Sequence, residues 1–303
     1  MDISVVIVNW NTRELLLNCL ASVFETVKEV SFEVWLVDNA SIDGSVDAAK
    51  RAFPEIRVIE NKENLGFAAA NNLAFRQMNG RYALLLNTDA ALKGDAVEKI
   101  YRFMENHSEI GMACGQLLNE DGSKQNSMAN FPSFLSLLCN ETFLRIFLPK
   151  RFPSKRREYP APIEIESCVG ACMMVRKETM VEIGLFDEAY FFFFEETDWA
   201  YRMKEAGWKI FFVPEAHIYH AQGKSVGGSV RARIMFYRSR YIFFRKWRPR
   251  SYYLICGIVF VRLLINTFMT FLGLLLTAGL RNQIRRKFII YIELIIWHLK
   301  GCP

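Results

Sequence analysis

The chain has 303 residues, of which 51% are hydrophobic, enough for a full-sized core that forms one main domain with an appendage. Its seven cysteines are odd in number and form no C-x-x-C pair, which argues against a disulfide framework or a zinc site and favours a reducing compartment. Residues 1–215 have 23 basic and 31 acidic side chains, a balance of −8, whereas residues 216–303 have 15 basic side chains against Glu293 alone, a balance of +14. No basic segment precedes the first apolar run, so no signal peptide is expected.

Strand and helix patterns alternate along the first 105 residues. Short runs of apolar residues predict strands at 3–8, 32–37, 56–59 and 82–86. Asn11 is expected to cap the first helix together with Glu14, and further helices are expected at 66–78 and 94–106. This alternation predicts an α/β fold with a largely parallel central sheet flanked by helices.

The following residues are less regular. Residues 125–162 contain five prolines, and we interpret them either as a mobile insertion over the site that touches a substrate or as a solvated loop. Their basic cluster consists of Lys150, Arg151, Lys155, Arg156 and Arg157. The pattern then predicts a strand at 167–175, a helix at 195–206 and a strand at 209–213.

The segment Asn87-Thr88-Asp89 closes the fourth predicted strand. It places a carboxylate at the carboxyl edge of the sheet, where ligands bind in open α/β folds. The chain has neither a G-x-x-x-x-G-K-S/T loop nor a G-x-G-x-x-G turn, so a bound diphosphate would need a cation. Asp89 offers a hard oxygen ligand to Mg²⁺ or Mn²⁺, or alternatively caps the next turn. His220 is a candidate second ligand, although a lone histidine is more often structural.

Polar residues also close the first two predicted strands. Asp38, Asn9 and Asn11 could hydrogen-bond a base or a ribose, and such residues are equally ordinary turn formers. Asn64, Gly66 and Asn71 surround a predicted helix start, where backbone N–H groups and the helix dipole favour phosphate or sugar oxygens.

Carboxylates open the helix predicted at 195–206. Glu195 and Glu196 follow an aromatic run, and the dipole of a first helical turn keeps such groups ionised, as a general base requires. Asp198 belongs to the same cluster, but its spacing to Arg202 also fits a surface ion pair.

Several motifs in a fixed order connect these residues. They are Val5-Val6-Ile7-Val8-Asn9-Trp10-Asn11, Val37-Asp38-Asn39-Ala40-Ser41, Asn64-Leu65-Gly66-Phe67, Leu85-Leu86-Asn87-Thr88-Asp89, Gly170-Ala171-Cys172-Met173, Gly184-Leu185-Phe186-Asp187-Glu188 and Glu195-Glu196-Thr197-Asp198. In order and spacing over residues 3–225, the chain resembles the bacterial family-2 inverting glycosyltransferases of the GT-A fold, especially their rhamnosyltransferase-like branch.

The resemblance implies a role for each candidate residue. It implies a nucleotide-binding half at 1–106 and an acceptor and catalytic half at 107–225, which contains the insertion 125–162. Asp38 would contact the nucleotide base, Asp89 would be the aspartate of a D-x-D-like metal motif, and His220 would be a second metal ligand. The residues expected to line the nucleotide-sugar are Asn9, Asn11, Asn64, Gly66, Asn71 and Asn87.

The implied reaction is a single in-line displacement at the anomeric carbon, with Glu196 as the general base. Two positions depart from the usual family pattern. Asn87 replaces an aspartate in the metal motif and leaves fewer charges for the cation. Glu196 replaces an aspartate and is one methylene longer, so the choice between Glu195 and Glu196 stays open.

The C-terminal region, residues 226–303, is basic and apolar. Two uncharged apolar runs, 251–261 and 263–280, are separated only by Arg262, and basic clusters flank both. A single span would leave one cluster outside, against the positive-inside tendency, so we favour helices that lie in or dip into the cytoplasmic leaflet and bind anionic lipid. The alternative is a helical hairpin that covers the interface of a homo-oligomer. Nucleic acid is disfavoured, because the basic residues bracket lipid-like runs.

The sequence therefore predicts a membrane-associated glycosyltransferase at the cytoplasmic face. It would use Mg²⁺ or Mn²⁺ to move a sugar, such as rhamnose, from a dTDP-, UDP- or GDP-linked donor to a polyprenyl-linked glycan or a polysaccharide. The rival interpretations are a nucleotidyltransferase, whose usual Gly-rich basic loop is missing, and a non-catalytic module that binds nucleotide or glycan.

Overall fold

The computed structural model describes residues 1–154, 157–221 and 229–301, which form two compact units. The sheet unit comprises the described residues within 1–131, 147–191 and 195–225, and the helical unit those within 132–146, 192–194 and 226–303. The predicted boundary between residues 225 and 226 lies outside the described residues, as do Lys155 and Arg156 of the predicted basic cluster. The predicted halves 1–106 and 107–225 stay predictions.

The secondary structure confirms the alternation along the first 105 residues. The strands are β1 (Ile3–Asn9), β2 (Phe32–Asp38), β3 (Arg57–Glu60), β4 (Tyr82–Leu86), β5 (Ala90–Lys93), β6 (Ile110–Leu118), β7 (Met128–Ala129), β8 (Ile163–Glu164), β9 (Ser167–Cys168), β10 (Cys172–Arg176) and β11 (Lys209–His220). The helices are α1 (Arg13–Thr26), α2 (Ser45–Ala52), α3 (Phe67–Phe75), α4 (Ala96–Glu105), α5 (Phe134–Leu138), α6 (Glu141–Phe147), α7 (Lys177–Ile183), α8 (Glu195–Glu205), α9 (Val230–Trp247), α10 (Tyr252–Leu276) and α11 (Asn282–Leu299).

The central sheet is parallel in its first half and mixed in its second. Its order is β3-β2-β1-β4-β10-β6-β11-β5, and β8 pairs with β11. The pairs among β1 to β4 are parallel, as is β6 with β11, whereas β10 runs antiparallel to both β4 and β6. The strand predicted at 167–175 is interrupted and forms β9 and β10, while β5 and β6 were not predicted.

Two apolar layers cover the faces of this sheet. Alternate residues of β1 point to opposite sides, so that Val5 packs with α1 and α4 while Val6 packs with α3 and α8. The α1 side contains Leu16 and Leu20, and the α3 side contains Trp199. Burial on both faces explains why β1 and β4 read as continuous apolar runs instead of alternating ones.

The helical unit places Arg262, which separates the two apolar runs of the sequence, inside one helix. α10 runs uninterrupted through this residue and packs against α9 and α11. The guanidinium of Arg262 donates from Nη1 to the carbonyl oxygens of Ser136 and Leu137, at 3.3 and 2.5 Å. Because α5 supplies these acceptors within the same unit, the arginine is accommodated without breaking the helix.

One helical stretch in the described part of the chain is long and apolar enough to cross a membrane. It is Pro249–Leu276, which comprises α10 and the short turn before it, and its mean hydropathy is 2.0. Only 11% of its most apolar window is buried inside the protein. Large exposed side chains cover it, among them Leu264, Ile265, Phe268 and Met269. Neighbouring α11 exposes Ile289, Ile292 and Ile296. The helical unit therefore leaves an extended apolar surface uncovered by the chain itself.

Candidate functional site

The carboxyl ends of β1, β2 and β4 lie along one edge of the sheet, because these strands are parallel. At this edge Asn9 Nδ2 donates to Asp38 Oδ1 over 2.7 Å, and the backbone N–H of Ser41 donates to Asp38 Oδ2 over 2.8 Å. The Asn9 and Asp38 side chains are both buried. Asn9 and Asp38, which were predicted to bind the nucleotide-sugar, lie at the expected edge of the sheet. Their hydrogen bond also holds the ends of β1 and β2 together.

Asn11 does not cap α1, and its predicted pairing with Glu14 is wrong. The residue has a positive φ of 53°, and its Oδ1 accepts a hydrogen bond from the backbone N–H of Ile42 over 2.8 Å. Thr12 precedes the helix, and its side chain makes no capping hydrogen bond. The Asn11 side chain thus joins the loop after β1 to the loop after β2. It lies at the edge of the sheet where the nucleotide-sugar was predicted to bind.

Asn64, Gly66 and Asn71 shape the start of α3. Asn64 Oδ1 accepts from the backbone N–H of Gly66 over 2.9 Å, and Asn71 Nδ2 donates to the carbonyl of Phe67 over 2.8 Å. The backbone N–H of Phe67 donates to Phe191 O over 2.7 Å. Two N–H groups at this helix start are thus bonded within the protein, and the role of these residues in donor binding stays a prediction.

Asp89 follows β4 in a turn that is fixed at both ends. The backbone N–H of Asn87 donates to Ala171 O over 2.9 Å, and Thr12 Oγ1 lies 2.9 Å from Thr88 Oγ1. Asp89 is buried, whereas the Asn87 side chain is partly exposed. The turn is therefore held in place between β1 and β10.

His220 reaches Asp89 because β11 pairs antiparallel with β5. The register places His220 opposite Ala90, the residue that directly follows Asp89. Asp89 Oδ1 lies 3.5 Å from His220 Nε2, and these two side chains are only 1% and 10% exposed. The structure thus brings together the two residues that were predicted as metal ligands.

Gln125 is a further member of this cluster that the sequence did not reveal. Its Oε1 lies 2.9 Å from His220 Nδ1, and the two residues are 95 positions apart in the chain. A glutamine at the start of a proline-rich segment carries no local signal for such a contact. Only knowledge of how the chain turns after β6 could have identified it.

The Asp89 and His220 pair fits a divalent cation of the predicted type. Carboxylate oxygen and imidazole nitrogen both bind Mn²⁺, and two metal bonds of about 2.1 Å span up to about 4.2 Å, more than the separation of these atoms. Within residues 1–154, 157–221 and 229–301, no three His, Cys, Asp or Glu side chains form a cluster able to hold a metal ion. The pair therefore suits a cation that takes its other ligands from a diphosphate and water, as Mg²⁺ commonly does.

Glu195 and Glu196 open α8 with different exposures. Glu195 is 4% exposed, whereas Glu196 is partly exposed. Desolvation raises the pKa of Glu196 to about 7. Burial, together with the charge of Glu196, raises the pKa of Glu195 well above its usual range. Desolvation thus outweighs the predicted stabilisation of the charged forms by the helix dipole, and Glu196 is the more exposed residue of the two.

The segment Gly170-Ala171, just before β10, connects Glu196 with the Asp89 turn. A Cβ built at Gly170 would lie 3.7 Å from Glu196 Cγ, so the Glu196 side chain lies beside this segment. The next residue, Ala171, accepts the hydrogen bond from Asn87. The predicted base and the predicted metal turn thus both adjoin this short segment.

Asp198 has the contacts of a structural residue. It is fully buried, its Oδ2 lies 3.0 Å from Arg202 Nε, and Tyr190 OH donates to its Oδ1 over 3.4 Å. The arginine also donates to carbonyl oxygens of the preceding loop, including that of Leu185. These contacts favour the ion-pair interpretation over the catalytic one for Asp198, but the prediction that the pair lies on the surface is wrong, because the Asp198 side chain is fully buried.

Comparison with known proteins decides the class. The model of "Glycosyl transferase family 2" matches residues 4–184, which contain the Asp38 edge and the Asp89 turn. The chain belongs to this family. It is therefore a glycosyltransferase, as predicted, and the family match decides against the nucleotidyltransferase and the non-catalytic module.

A curated relative and two solved structures support the branch and the fold of this glycosyltransferase. N-acetylglucosaminyl-diphospho-decaprenol L-rhamnosyltransferase of Mycobacterium tuberculosis is 27% identical over 227 residues, 69% of this chain and 73% of the relative. Mannosyltransferase PcManGT from Pyrobaculum calidifontis, in complex with GDP-Man and Mn²⁺, aligns with a TM-score of 0.57 at 17% identity, over 98% of this chain and 86% of that one. GalNAc-T7 with UDP, GalNAc and Mn²⁺ aligns with a TM-score of 0.59 at 17% identity, over 79% of this chain and 47% of that one. The predicted rhamnosyltransferase-like family-2 relationship and the GT-A fold are confirmed.

Proposed function

We propose that this glycosyltransferase moves a sugar from a nucleoside diphosphate to a lipid-linked glycan or polysaccharide by metal-assisted displacement with inversion. The observation that carries this proposal is the approach of Asp89 and His220 beside the segment that Glu196 contacts. The name of the mycobacterial relative supports rhamnose as the sugar, an acceptor built on a polyprenyl diphosphate and a role in cell-envelope polysaccharide synthesis. The nucleoside diphosphate of the donor is dTDP, UDP or GDP in this proposal.

Glu196 is the general base of the proposed reaction. Its partial exposure gives a hydroxyl group access to it, and a pKa near 7 matches a group that must accept a proton near neutral pH. Taking the proton from the acceptor hydroxyl raises the nucleophilicity of that oxygen as it attacks the anomeric carbon. Attack from the side opposite the diphosphate gives inversion.

Asp89 and His220 hold the divalent cation in this proposal. Bound there, Mg²⁺ or Mn²⁺ would supply positive charge against the diphosphate that departs. The turn after β4 is fixed by Thr88 and by the backbone of Asn87, so Asp89 needs little reorganisation to bind.

Glu195 is assigned a supporting role. Its burial restricts the access of an acceptor hydroxyl, and desolvation raises its pKa and so favours the neutral form. A neutral Glu195 would not repel the negative charge of ionised Glu196. The base is thus Glu196 in this proposal, and the greater exposure of Glu196 supports this choice over Glu195.

The helical unit supports a location at the membrane. The exposed apolar surface of α10 and α11 provides area for burial in lipid, and the flanking arginines favour an anionic surface such as that of the cytoplasmic leaflet. An acceptor carried on a polyprenyl chain would be presented at this surface. Whether the chain forms a homo-oligomer stays a prediction.

The test is the thermal stability of the detergent-purified chain with UDP, dTDP or GDP, each with and without Mn²⁺. A nucleotide at 100 times its dissociation constant should add about 2.7 kcal/mol to the free energy of unfolding. We expect one nucleotide to stabilise the protein in a Mn²⁺-dependent way, and we expect Asp89→Ala to lose this effect.

Asp95→Ala is the matched control. Asp95 is an exposed aspartate that pairs with Lys99 on the surface, so its removal deletes a carboxylate six residues from Asp89 without touching the site. Equal stabilisation of wild type and Asp89→Ala by the nucleotide with Mn²⁺ would contradict the metal assignment. The absence of any shift in folded wild-type protein would contradict the proposed donor class.

A further inference from the structure

The turn that follows β6 contains a chain of polar side chains that leads to His220. Residues 119–125 fold back on β6, since the N–H of Asn119 donates to Ser123 O and the N–H of Gln125 donates to Leu117 O. Within this turn, Asp121, Ser123, Asn119 and Gln125 are joined by hydrogen bonds in that order. The last of them contacts the imidazole of His220.

The direction of each hydrogen bond in this chain follows from its first member. An ionised carboxylate only accepts, so the single hydroxyl proton of Ser123 is donated to Asp121 Oδ1, over 2.7 Å. Ser123 Oγ must then accept from Asn119 Nδ2, also over 2.7 Å. This orients the Asn119 amide and leaves its Oδ1 to accept from Gln125 Nε2 over 2.7 Å.

The Gln125 amide is oriented a second time by the backbone. Its Nε2 donates to the carbonyl oxygen of His220 over 2.6 Å, and a flipped amide would place two oxygens against each other there. Gln125 Oε1 is therefore the atom that faces His220 Nδ1, and it can only accept. Nδ1 of His220 must carry a proton.

A protonated Nδ1 determines what the other ring nitrogen can do. In a neutral imidazole, Nε2 then has a lone pair, and this atom faces Asp89 Oδ1 at 3.5 Å, beyond the usual length of a hydrogen bond. A lone pair and a carboxylate oxygen at this distance are close enough to bind one cation together. Ligating histidines elsewhere are held in the same way, by a hydrogen bond from the other ring nitrogen.

We propose that Gln125 is a positioning residue for the metal ligand His220. Through its amide, the turn at residues 119–125 holds the imidazole as the Nδ1–H tautomer, with Nε2 ready to bind the divalent cation beside Asp89. Gln125 is 4% exposed, so water does not compete for these hydrogen bonds. The inference rests on the proposed function, since it assigns a partner to the proposed cation site.

The first test measures the tautomer directly, without a metal and without a variant. Two-dimensional ¹H–¹⁵N spectra of the imidazole nitrogens distinguish the Nδ1–H from the Nε2–H form, and the chain has only four histidines to assign. We expect His220 in the metal-free wild type to be the Nδ1–H tautomer. An Nε2–H tautomer would overturn the positioning role.

The second test measures Mn²⁺ affinity by electron paramagnetic resonance, in the presence of the nucleotide that stabilises the wild type. Loss of a residue that hydrogen-bonds a metal ligand typically weakens metal binding about 10- to 100-fold. We expect a loss of Mn²⁺ affinity in this range for Gln125→Ala. Lys124→Ala is the matched control, because Lys124 is the adjacent residue and its side chain pairs with Glu158 on the surface. It should bind Mn²⁺ as the wild type does.

The outcomes separate the two proposals. Wild-type Mn²⁺ affinity in folded Gln125→Ala would overturn the positioning role and leave the proposed function standing. No Mn²⁺ binding by the wild type with any of the three nucleotides would overturn the proposed metal-assisted function, and the positioning role with it. If Gln125→Ala does not fold, the tautomer of His220 in the wild type still decides, because an Nε2–H form there would overturn the positioning role without any variant.

Discussion

Two adjacent glutamates at the start of α8 have different environments because the first helical turn points them in different directions. Glu195 faces the interior and Glu196 faces Gly170 and solvent. Both carboxyl groups have raised pKa values, so their titrations influence each other and the apparent pKa values belong to the pair. A base must be deprotonated to act, so activity should fall as the pH drops below about 7.

Variants of the two glutamates should therefore behave differently. We expect Glu196→Gln to lower kcat by roughly 10²- to 10⁴-fold, because the amide cannot accept the proton. Glu195→Gln should keep activity within a few-fold and keep the acid limb near pH 7, because an amide resembles the protonated carboxyl group that it replaces. Transfer rates across pH 5.5 to 8.5, measured with the nucleotide-sugar identified by thermal stability, check both expectations. Comparable losses in the two variants would show that exposure does not identify the base.

Among the site residues, those at strand ends could be predicted from sequence and those set by long-range packing could not. Asp38 and Asp89 follow continuous apolar strands, and parallel strands bring such ends to one edge. The choice between Glu195 and Glu196 depends on which side of α8 is covered, and the role of Gln125 depends on a turn that meets β11. Neither has a periodic signal in the chain.

At the level of elements, β11 shows why the second half of the sheet was harder to predict than the first. The strand was expected at residues 209–213 only, but it continues past Pro214, a residue that cannot donate to a ladder. The register with β6 shifts between Val213 and His217, and such an irregularity accommodates a proline. β5 was missed because its four residues follow Asp89 directly, and β6 because it contains two glycines and a glutamine.

The start of α3 depends on a glycine for a reason that can be tested. Gly66 has φ of +84° and ψ of 179°, a conformation that is essentially restricted to glycine, and an added Cβ would lie 2.4 Å from Phe191 O. Gly66→Ala should lower the free energy of unfolding by about 1–3 kcal/mol, because alanine is strained in this backbone conformation. The close approach of the new Cβ to Phe191 O should add to this loss.

Gly94→Ala is the matched control for this prediction. Gly94 also has positive φ, +58°, but nothing lies within 4 Å of its added Cβ, so we expect a loss of only about 1 kcal/mol. Denaturant unfolding of the wild type and both variants in the same detergent provides the comparison. Equal losses would mean that the approach of Phe191 does not constrain the start of α3.

At the level of the whole molecule, the charge division of the sequence follows the division into two units. The acidic residues lie almost entirely before residue 216, whereas in the helical unit basic residues precede and follow the apolar helix α10, among them Arg248, Arg250 and Arg281. Arg262 differs from these residues because it lies within α10, where a charged side chain is costly to bury in lipid. Its hydrogen bonds to α5 reduce that cost.

The membrane proposal predicts the effect of charges on this surface. Leu264→Glu combined with Phe268→Glu should weaken binding to anionic vesicles at least about tenfold, because each change removes apolar area worth about 1.5–3 kcal/mol when buried. Val181→Glu is the control, since Val181 is a strongly exposed apolar residue of the sheet unit and should leave binding unchanged. Vesicle flotation after dilution from detergent measures the bound fraction. Unimpaired flotation of the double variant would show that α10 is not the lipid-binding surface.

The pairing of β11 with β5 also determines when the enzyme becomes competent during its synthesis. β1 to β4 can pair once residue 86 has been made, but His220 joins Asp89 only after the chain has grown by more than a hundred further residues. At roughly 5–20 residues per second, that interval lasts on the order of ten seconds. The nascent chain can thus build its nucleotide edge early, while the contact of longest sequence separation in the site forms last. A partly synthesised chain would have the parallel half of the sheet without the contact between Asp89 and His220.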